Sequence, residues 1–388
     1  MLRLGLACLS LVASAAAEPP AFRGTPAQPV LAHREVRPEG VYVVTLEFGA
    51  DDADSVTTVK GEARRLLALN VAVPRGRRET REYLVDVRRP EFAGGRVAIN
   101  AREKGSASWD DALSLEFLGA SARARLVSVR LADPAVRRIF LAGDSTVCDQ
   151  AFEPYAGWGQ ALPLFFGPGA VVVNHAESGR TLRSFRAEGR LDKILSQLRA
   201  GDFVLIQFGH NDQKEKGPGV GAFTTYADRL RETVSAVRAK GGKPVLVTSV
   251  ARRRFDPEGK VMESLGDFPV AVRRVAKELG VPLIDLNTRS KALYGAMGVE
   301  PSKLALLHFP ANTFPGQTTP LRDDTHFSAY GAYEMARCVV EEIRTRVPEL
   351  ASLIAPSAGV FDPAHPDEPS KVIIPASPLV AAEKPEGK

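Results

Sequence analysis

Phe140-Leu141-Ala142-Gly143-Asp144-Ser145-Thr146 is the stretch on which the fold turns. An apolar run of strand character ends at a Gly-Asp turn, and a serine follows at once. In parallel α/β sheets the ligand crevice lies at the carboxyl ends of the strands, where Ser145 falls. A serine in that position is also an ordinary turn or helix-cap residue, so the segment needs its surroundings to be read.

From about residue 137 onward, strands alternate with helices. Strand character recurs at Arg138–Ala142, Ala170–Asn174, Phe203–Phe208, Pro244–Ser249 and Pro282–Asp285. Helical spacing recurs at Trp158–Phe165, Leu191–Leu198, Tyr226–Ala239, Val270–Leu279 and Tyr330–Val347. Gly241-Gly242 and Gly280 follow two of these as stop signals. This alternation predicts an α/β domain with a doubly wound parallel sheet over about residues 135–354. Residues 40–132 differ in texture. Short β-rich runs at Val41–Phe48, Tyr83–Val87, Arg96–Ile99, Leu113–Phe117 and Ala124–Val129 are separated by Gly, Asp and Ser, which predicts a β-sandwich over about 18–134.

The remaining segments are not fold-forming on this reading. Met1-Leu2-Arg3, the mostly apolar run Leu4–Ala13 and the small residues Ser14-Ala15-Ala16-Ala17 have the layout of a secretory signal over residues 1–17. The apolar run is too short to span a bilayer. The expected destination is therefore outside the cytoplasm, secreted or periplasmic, with no stable membrane insertion once the signal is cleaved. Residues 356–388 hold seven of the 28 prolines, so 355–388 read as a Pro-rich disordered tail. The net charge of +5 is mild, and Arg75–Arg81 and Arg252-Arg253-Arg254 lack interleaved aromatics. These clusters read as solvated surface with some attraction to acidic polymers, not as a nucleic-acid site. Cys8 lies in the signal, while Cys148 and Cys338 stand either as a pair or as two separate buried thiols. No Cys/His spacing suggests a metal.

Serine becomes a nucleophile only when a base takes its proton. Of six histidines, His33 and His365 lie outside the α/β region, and His175 and His308 lack an obvious partner. His326 follows Asp323 by three residues in Asp323-Asp324-Thr325-His326-Phe327. One loop can carry both groups, the carboxylate fixing the tautomer of the ring. Asp324 is the competing acid, and from two residues away it is less well placed and reads as solvent-facing or capping. Two further blocks follow predicted strands. Phe208-Gly209-His210-Asn211-Asp212 offers the Asn211 amide to a developing oxyanion, and a plain strand-ending turn is the other reading. His175-Ala176-Glu177-Ser178-Gly179-Arg180 offers an unshielded Gly179 N–H, or simply a turn glycine.

Taken in order, Ser145 in Gly-Asp-Ser, Gly179, Asn211 in Gly-x-Asn-Asp and His326 in Asp-x-x-His resemble the four blocks of the SGNH (GDSL-type) hydrolases. Gly157-Trp158-Gly159-Gln160, Ser178-Gly179-Arg180-Thr181 and Asp324-Thr325-His326-Phe327-Ser328 look like the rhamnogalacturonan acetylesterase branch. Thr146 stands where the leucine of the GDSL name would be, as is usual for that branch, and tells against a lipase. The likeness covers about residues 137–350.

The resemblance implies a flavodoxin-like SGNH domain, and the β-rich part before it, which the likeness does not cover, resembles a galactose-binding-like β-sandwich. The same resemblance implies Ser145 as nucleophile, His326 as base and Asp323 as its orienter, with Ser145 N–H, Gly179 N–H and the Asn211 side chain as oxyanion hole. Trp158, Arg180 and His210 are candidates for contact with the sugar, Trp158 being equally a core indole and His210 a loop support. The implied activity is deacetylation of a pectic polysaccharide, rhamnogalacturonan, with no metal or organic cofactor. The alternatives are another SGNH esterase, acting on acetylxylan or a general acyl ester, and a carbohydrate-binding protein with an inactive hydrolase domain. The β-rich domain carries no catalytic block. Its removal is therefore expected to leave the chemistry in place, and sugar binding and a purely structural flank are both open readings for it.

Overall fold

The structure, a computed structural model, describes residues 21–23, 30–378 and 380–381. The predicted signal lies outside the described residues.

The β-rich half forms two four-stranded antiparallel sheets. One runs Ala21–Arg23, Arg123–Leu131, Gly40–Phe48, Glu79–Val87 across the sheet, and the other Val30–Val36, Ala112–Leu118, Ser55–Gly61, Arg65–Val73. Alternating residues from both sheets, including Val44, Leu46, Phe48, Val59, Val85, Leu115 and Phe117, close one apolar cluster between them. Four of these strands, Ala21–Arg23, Val30–Val36, Ser55–Gly61 and Arg65–Val73, fall outside the expected β-rich runs; in Val30–Val36 and Ser55–Gly61 the apolar residues are interleaved with His, Arg, Lys and Thr. The strand expected at Arg96–Ile99 is reduced to Gly95–Arg96, paired with Glu91–Phe92.

The second half is built on five parallel strands: β1 (Arg137–Gly143), β2 (Ala170–Asn174), β3 (Phe203–Gln207), β4 (Lys243–Val247) and β5 (Leu283–Ile284). Their order in the sheet is β2-β1-β3-β4-β5, the flavodoxin-like order, with its switch point between β1 and β3. β1 pairs with β2 from Arg137↔Ala170 and with β3 up to Gly143↔Gln207, so Gly143 ends a central strand at the crevice. Apolar clusters cover both faces of the sheet. One is closed by the helices Ala227–Ala239 and Phe268–Leu279, the other by Ala329–Arg346. No helix among the described residues is long and apolar enough to cross a membrane.

A hairpin that the sequence reading missed carries His326. Leu306–Phe309 pairs antiparallel with Leu321–Phe327, and the register jumps from Leu307↔Asp323 to Leu306↔Phe327. One step on the first strand meets four on the second, so residues 324–326 bulge out of the ladder. The pair Asp323/His326 thus sits on a bulged strand rather than on a loop.

The tail departs from the prediction of disorder. Residues 355–378 contain little regular structure, yet they bind the body at many points. Phe361 is buried with the Arg337 guanidinium 4.5 Å from its ring centroid, and Arg337 pairs with Asp367. Asn70 donates to Ile373 O at 2.9 Å, and Lys60 Nζ donates to Pro375 O at 2.8 Å and Ser377 Oγ at 3.1 Å. A segment with no core of its own is ordered here by backbone groups satisfied on a preformed surface.

Candidate active site

Ser145 follows β1 directly, and its turn is braced from below. Asp144 Oδ1 accepts from Thr146 N at 3.1 Å and from Thr146 Oγ1 at 2.9 Å, while Asp144 Oδ2 lies 3.3 Å from His210 Nδ1. Gln207, at the end of β3, donates to Thr146 Oγ1 at 2.7 Å and accepts from Trp158 Nε1 at 2.9 Å. A leucine in place of Thr146 could not join this chain. Hydrogen bonds from Thr146 and the imidazole of His210 outweigh the burial penalty on Asp144 and hold its carboxyl below the usual range.

Above this brace, Ser145 Oγ lies 2.9 Å from His326 Nε2, and His326 Nδ1 lies 2.8 Å from Asp323 Oδ2. The other oxygen of Asp323 accepts from Thr325 N at 2.8 Å and His326 N at 3.1 Å. Burial works against the Asp323 carboxylate, but these hydrogen bonds and the His326 charge win and depress its pKa strongly. Asp324 faces away and bridges His308 Nε2 and the Arg253 guanidinium, each at 2.9 Å. His308 therefore has the partner its sequence context did not reveal. The ring of Tyr155 packs edge-on against His326, centroids 5.8 Å apart.

The other two blocks converge on the same turn. Glu177 N donates to Gly143 O at 3.1 Å. Gln150 Nε2 donates to both Ser145 O (3.0 Å) and Ser178 Oγ (3.2 Å). Gly179 has φ +77°, a left-handed conformation suited to glycine. Asn211 Nδ2 donates to Arg180 O at 3.2 Å, and Asn211 Oδ1 accepts from Lys214 Nζ at 3.2 Å. The amide is thus oriented by both ends, with one of its two N–H groups uncommitted in these contacts.

The three candidates for sugar contact are all buried and engaged by neighbouring side chains or loops. Trp158 is fully buried in the core, its N–H bound to Gln207. Its flanking glycines are packing residues, since a Cβ on Gly157 or Gly159 would overlap the Cys148 or Val147 carbonyl. Arg180 is buried, with Nε on Glu188 at 2.8 Å and NH1 on Ser178 O at 2.8 Å. His210 is buried against Asp144. All three support the loops from behind. Cys148 and Cys338 are separate buried thiols. Among the described residues, no group of three or more His, Cys, Asp or Glu is placed to hold a metal ion.

Sequence reasoning missed the part played by the antiparallel domain. The turn Glu62-Ala63-Arg64 between its strands holds Glu62 at φ 53° and Arg64 at φ 64°, a costly conformation for such side chains. This turn enters the α/β domain beneath the loop that follows Ser145. Arg64 donates to Gln150 O and Tyr155 O, both at 2.9 Å, and pairs with Glu153 at 2.5 Å. Arg65 Nε meets Asp149 Oδ2 at 2.7 Å, and Gln160 Nε2 donates to Ala63 O at 2.6 Å.

Glu153 also accepts from Ser377 N at 2.9 Å, so the tail closes the same junction. A second arm reaches the Gly179 loop. Asn100 Nδ2 donates to Glu177 Oε1 at 3.1 Å, and Glu103 forms a two-pronged pair with Arg190 at 2.8 and 2.6 Å. The domain thus makes direct contacts with the loops around Ser145, contacts that nothing in the sequence marks. Clustered arginines read as solvated surface in a sequence, and nothing local marks these as buried.

Comparison with known proteins identifies the family of the α/β half. Residues 141–333 match the GDSL-like lipase/acylhydrolase family. The chain is 46% identical to the rhamnogalacturonan acetylesterase RhgT of Bacillus subtilis over 208 residues, 53% of this chain and 89% of that protein. It is 34% identical to the probable rhamnogalacturonan acetylesterase YesY of the same organism, over 53% of this chain and 92% of that protein. It is 29% identical to the uncharacterized esterase YxiM, also of B. subtilis, over 336 residues, 79% of this chain and 84% of that protein. The chain belongs to the GDSL-like lipase/acylhydrolase family and is a carboxylic ester hydrolase.

Proposed function

We propose that the chain is an exported carbohydrate esterase that removes acetyl groups from an acetylated pectic polysaccharide of the rhamnogalacturonan type. The observation that carries the chemistry is the line Asp323–His326–Ser145, with contacts of 2.8 and 2.9 Å at the carboxyl edge of the parallel sheet. The substrate class rests on the likeness to rhamnogalacturonan acetylesterases. Export rests on the signal-like residues 1–17.

In this reading His326 Nδ1–H is held by Asp323, which leaves the Nε2 lone pair facing Ser145 Oγ–H. Ser145 Oγ attacks the acetyl carbonyl carbon as its proton passes to Nε2. The resulting oxyanion receives hydrogen bonds from Ser145 N–H, Gly179 N–H and the uncommitted Asn211 N–H. Collapse breaks the bond to the sugar oxygen, which takes the proton from His326. Water then attacks the acetyl-Ser145 ester, His326 accepts its proton and returns it to Ser145 Oγ, and acetate leaves. The galactose-binding-like reading of the antiparallel domain belongs to the same proposal. Its contacts with the loops at Gln150–Tyr155 and Glu177 support a positioning role for it.

Acetate release measured across acetylated rhamnogalacturonan, acetylated xylan and a small acetyl ester tests the reading. Rhamnogalacturonan is expected to give the highest kcat/KM. A preference for xylan would move the substrate class while keeping the mechanism, and no release from any ester would end the proposal.

A further inference from the structure

The three groups that would receive the oxyanion stand on three separate loops. Ser145 follows β1, Gly179 follows β2 and Asn211 follows β3. Such donors stabilise an oxyanion only when all of them meet it at about 2.7–3.1 Å, so the gaps between the loops must be fixed before substrate arrives. The sheet does not fix them. Pairing of β1 with β2 stops at Leu141↔Asn174, and among the described residues the last backbone tie between their loops is Glu177 N to Gly143 O. Ser145 and Gly179 both lie beyond that tie.

Gln150 spans the gap. Its side chain is buried, and its amide nitrogen donates to Ser145 O at 3.0 Å and to Ser178 Oγ at 3.2 Å. A primary amide has two N–H groups, so one nitrogen serves both loops. The Ser145 carbonyl belongs to the same peptide as the Thr146 N–H, which is bound to Asp144 Oδ1, and that peptide is therefore held at both ends. On the far side, Ser178 O accepts from Arg180 NH1 at 2.8 Å, and Arg180 O accepts from Asn211 Nδ2 at 3.2 Å. The carriers of all three donors are thus joined in one chain, Ser145–Gln150–Ser178–Arg180–Asn211. Cys148 Sγ bridges the same two loops, 3.8 Å from Ser145 O and 3.5 Å from Ser178 Oγ, but a thiol is a weak donor.

The backbone of Gln150 is itself held. Its carbonyl accepts from Arg64 NH1 and from Gln160 Nε2, both at 2.9 Å. Gln160 Nε2 also donates to Ala63 O at 2.6 Å, so the turn at Ala63-Arg64 of the antiparallel domain fixes this carbonyl twice over. That turn keeps Glu62 and Arg64 at positive φ, and strain of this kind clusters where it serves a site.

We propose that Gln150 is a positioning residue of the oxyanion hole, its amide setting the separation between the Ser145 and Gly179 N–H groups. The proposal rests on the esterase reading above and goes beyond it by adding a residue outside the four sequence blocks. Gln150 touches no substrate in this role. It acts on the tetrahedral state through the groups it holds, so its loss should raise the barrier and leave ground-state binding alone.

The test uses the full chain as wild type, Gln150→Met and Ser178→Ala, with a small acetyl ester as substrate. Gln150→Met keeps the length of the side chain and removes both donations, and Ser178→Ala cuts the bridge at its far end. Gln150→Met is expected to lower kcat about tenfold or more, short of the about 10²–10³ for loss of a donor itself, with KM little changed. Ser178→Ala should act in the same direction by less. A small boronic acid, which forms a tetrahedral anion on the serine, should lose affinity in step with kcat/KM. The pH midpoint of kcat/KM should stay at the wild-type value, because Asp323 and His326 are untouched. Wild-type kcat and boronate affinity in either variant, per folded molecule, would overturn the proposal, whatever the change in melting temperature. So would an effect confined to KM or a shifted pH midpoint. If Gln150→Met does not fold, Ser178→Ala decides on the same readouts. A wild type inactive on every acetyl ester would end the esterase reading as well, whereas an active wild type with unchanged variants removes this proposal alone.

Discussion

The two halves of the molecule use ionisable residues in opposite ways. At the edge of the parallel sheet a few groups are aligned on one hydroxyl: Asp323, His326 and Ser145, with Asp144 and His210 beneath. In the antiparallel domain, buried cations face outward from the fold that carries them. Lys60, Arg64 and Arg65 are all nearly inaccessible, and they find their counter-charges on Glu153 and Asp149 of the other half. Buried ion pairs add little net stability, because desolvation offsets most of the attraction, but they fix geometry. The comparison teaches that the groups placed for chemistry lie in one domain, while part of the scaffold that aims them lies in the other.

The sharpest way to break this comparison is within the aligned line itself. Asp323→Asn is expected to lower kcat by about 10⁴, as loss of the orienting carboxylate does in such triads, with Asp324→Asn close to wild type. The reverse ranking, measured on a small acetyl ester, would reassign the orienting acid. Asn211→Ala comes next, with an expected fall in kcat of about 10²–10³ and little change in KM. A change confined to KM would make the amide a ground-state binder.

Arg64→Met probes the other half. It strips Glu153 of its nearest cation and removes the donors to Gln150 O and Tyr155 O. Stability should fall by about 3–5 kcal/mol, as when one partner of a buried pair is removed. The folded fraction should also lose kcat on the order of tenfold, because the Tyr155 side of the His326 ring shifts. Full kcat in folded Arg64→Met would reduce the antiparallel domain to a structural flank.

A smaller effect follows from Glu177, where the two halves touch through Asn100. Burial, reinforced by Glu103, pushes the Glu177 carboxyl up to about 7. The folded state therefore binds this proton more tightly than the unfolded chain, whose glutamates titrate near about 4.3. The stabilisation is complete below the unfolded value and is lost as pH rises through about 7. Urea titrations should show wild type losing stability relative to Glu177→Gln between these limits, and parallel profiles would contradict the assignment.

Much of the site was legible because its residues act at short range in the chain. Asp323 and His326 are three apart, and Ser145 follows an apolar strand at a turn. What was illegible depends on distant partners. The bulge that presents His326 exists only against Leu306–Phe309, whose sequence is unremarked. Trp158 between two glycines resembles an exposed platform, yet both glycines answer to carbonyls of the Ser145 loop. The proline-rich tail has no apolar pattern, so its order comes from partners outside it, Arg337 near by and Lys60, Asn70 and Glu153 hundreds of residues away. Arg64 and Arg65 look like surface residues until the second domain covers them.

The central claim is that Ser145 is the nucleophile activated by His326. A fluorophosphonate reacts with an activated serine and leaves a stable adduct, so peptide mass mapping after labelling of the full chain addresses the claim directly. One adduct is expected, on the peptide containing Ser145, absent in Ser145→Ala and formed far more slowly in His326→Ala. An adduct on a different serine, or equal labelling of Ser145→Ala, would contradict it.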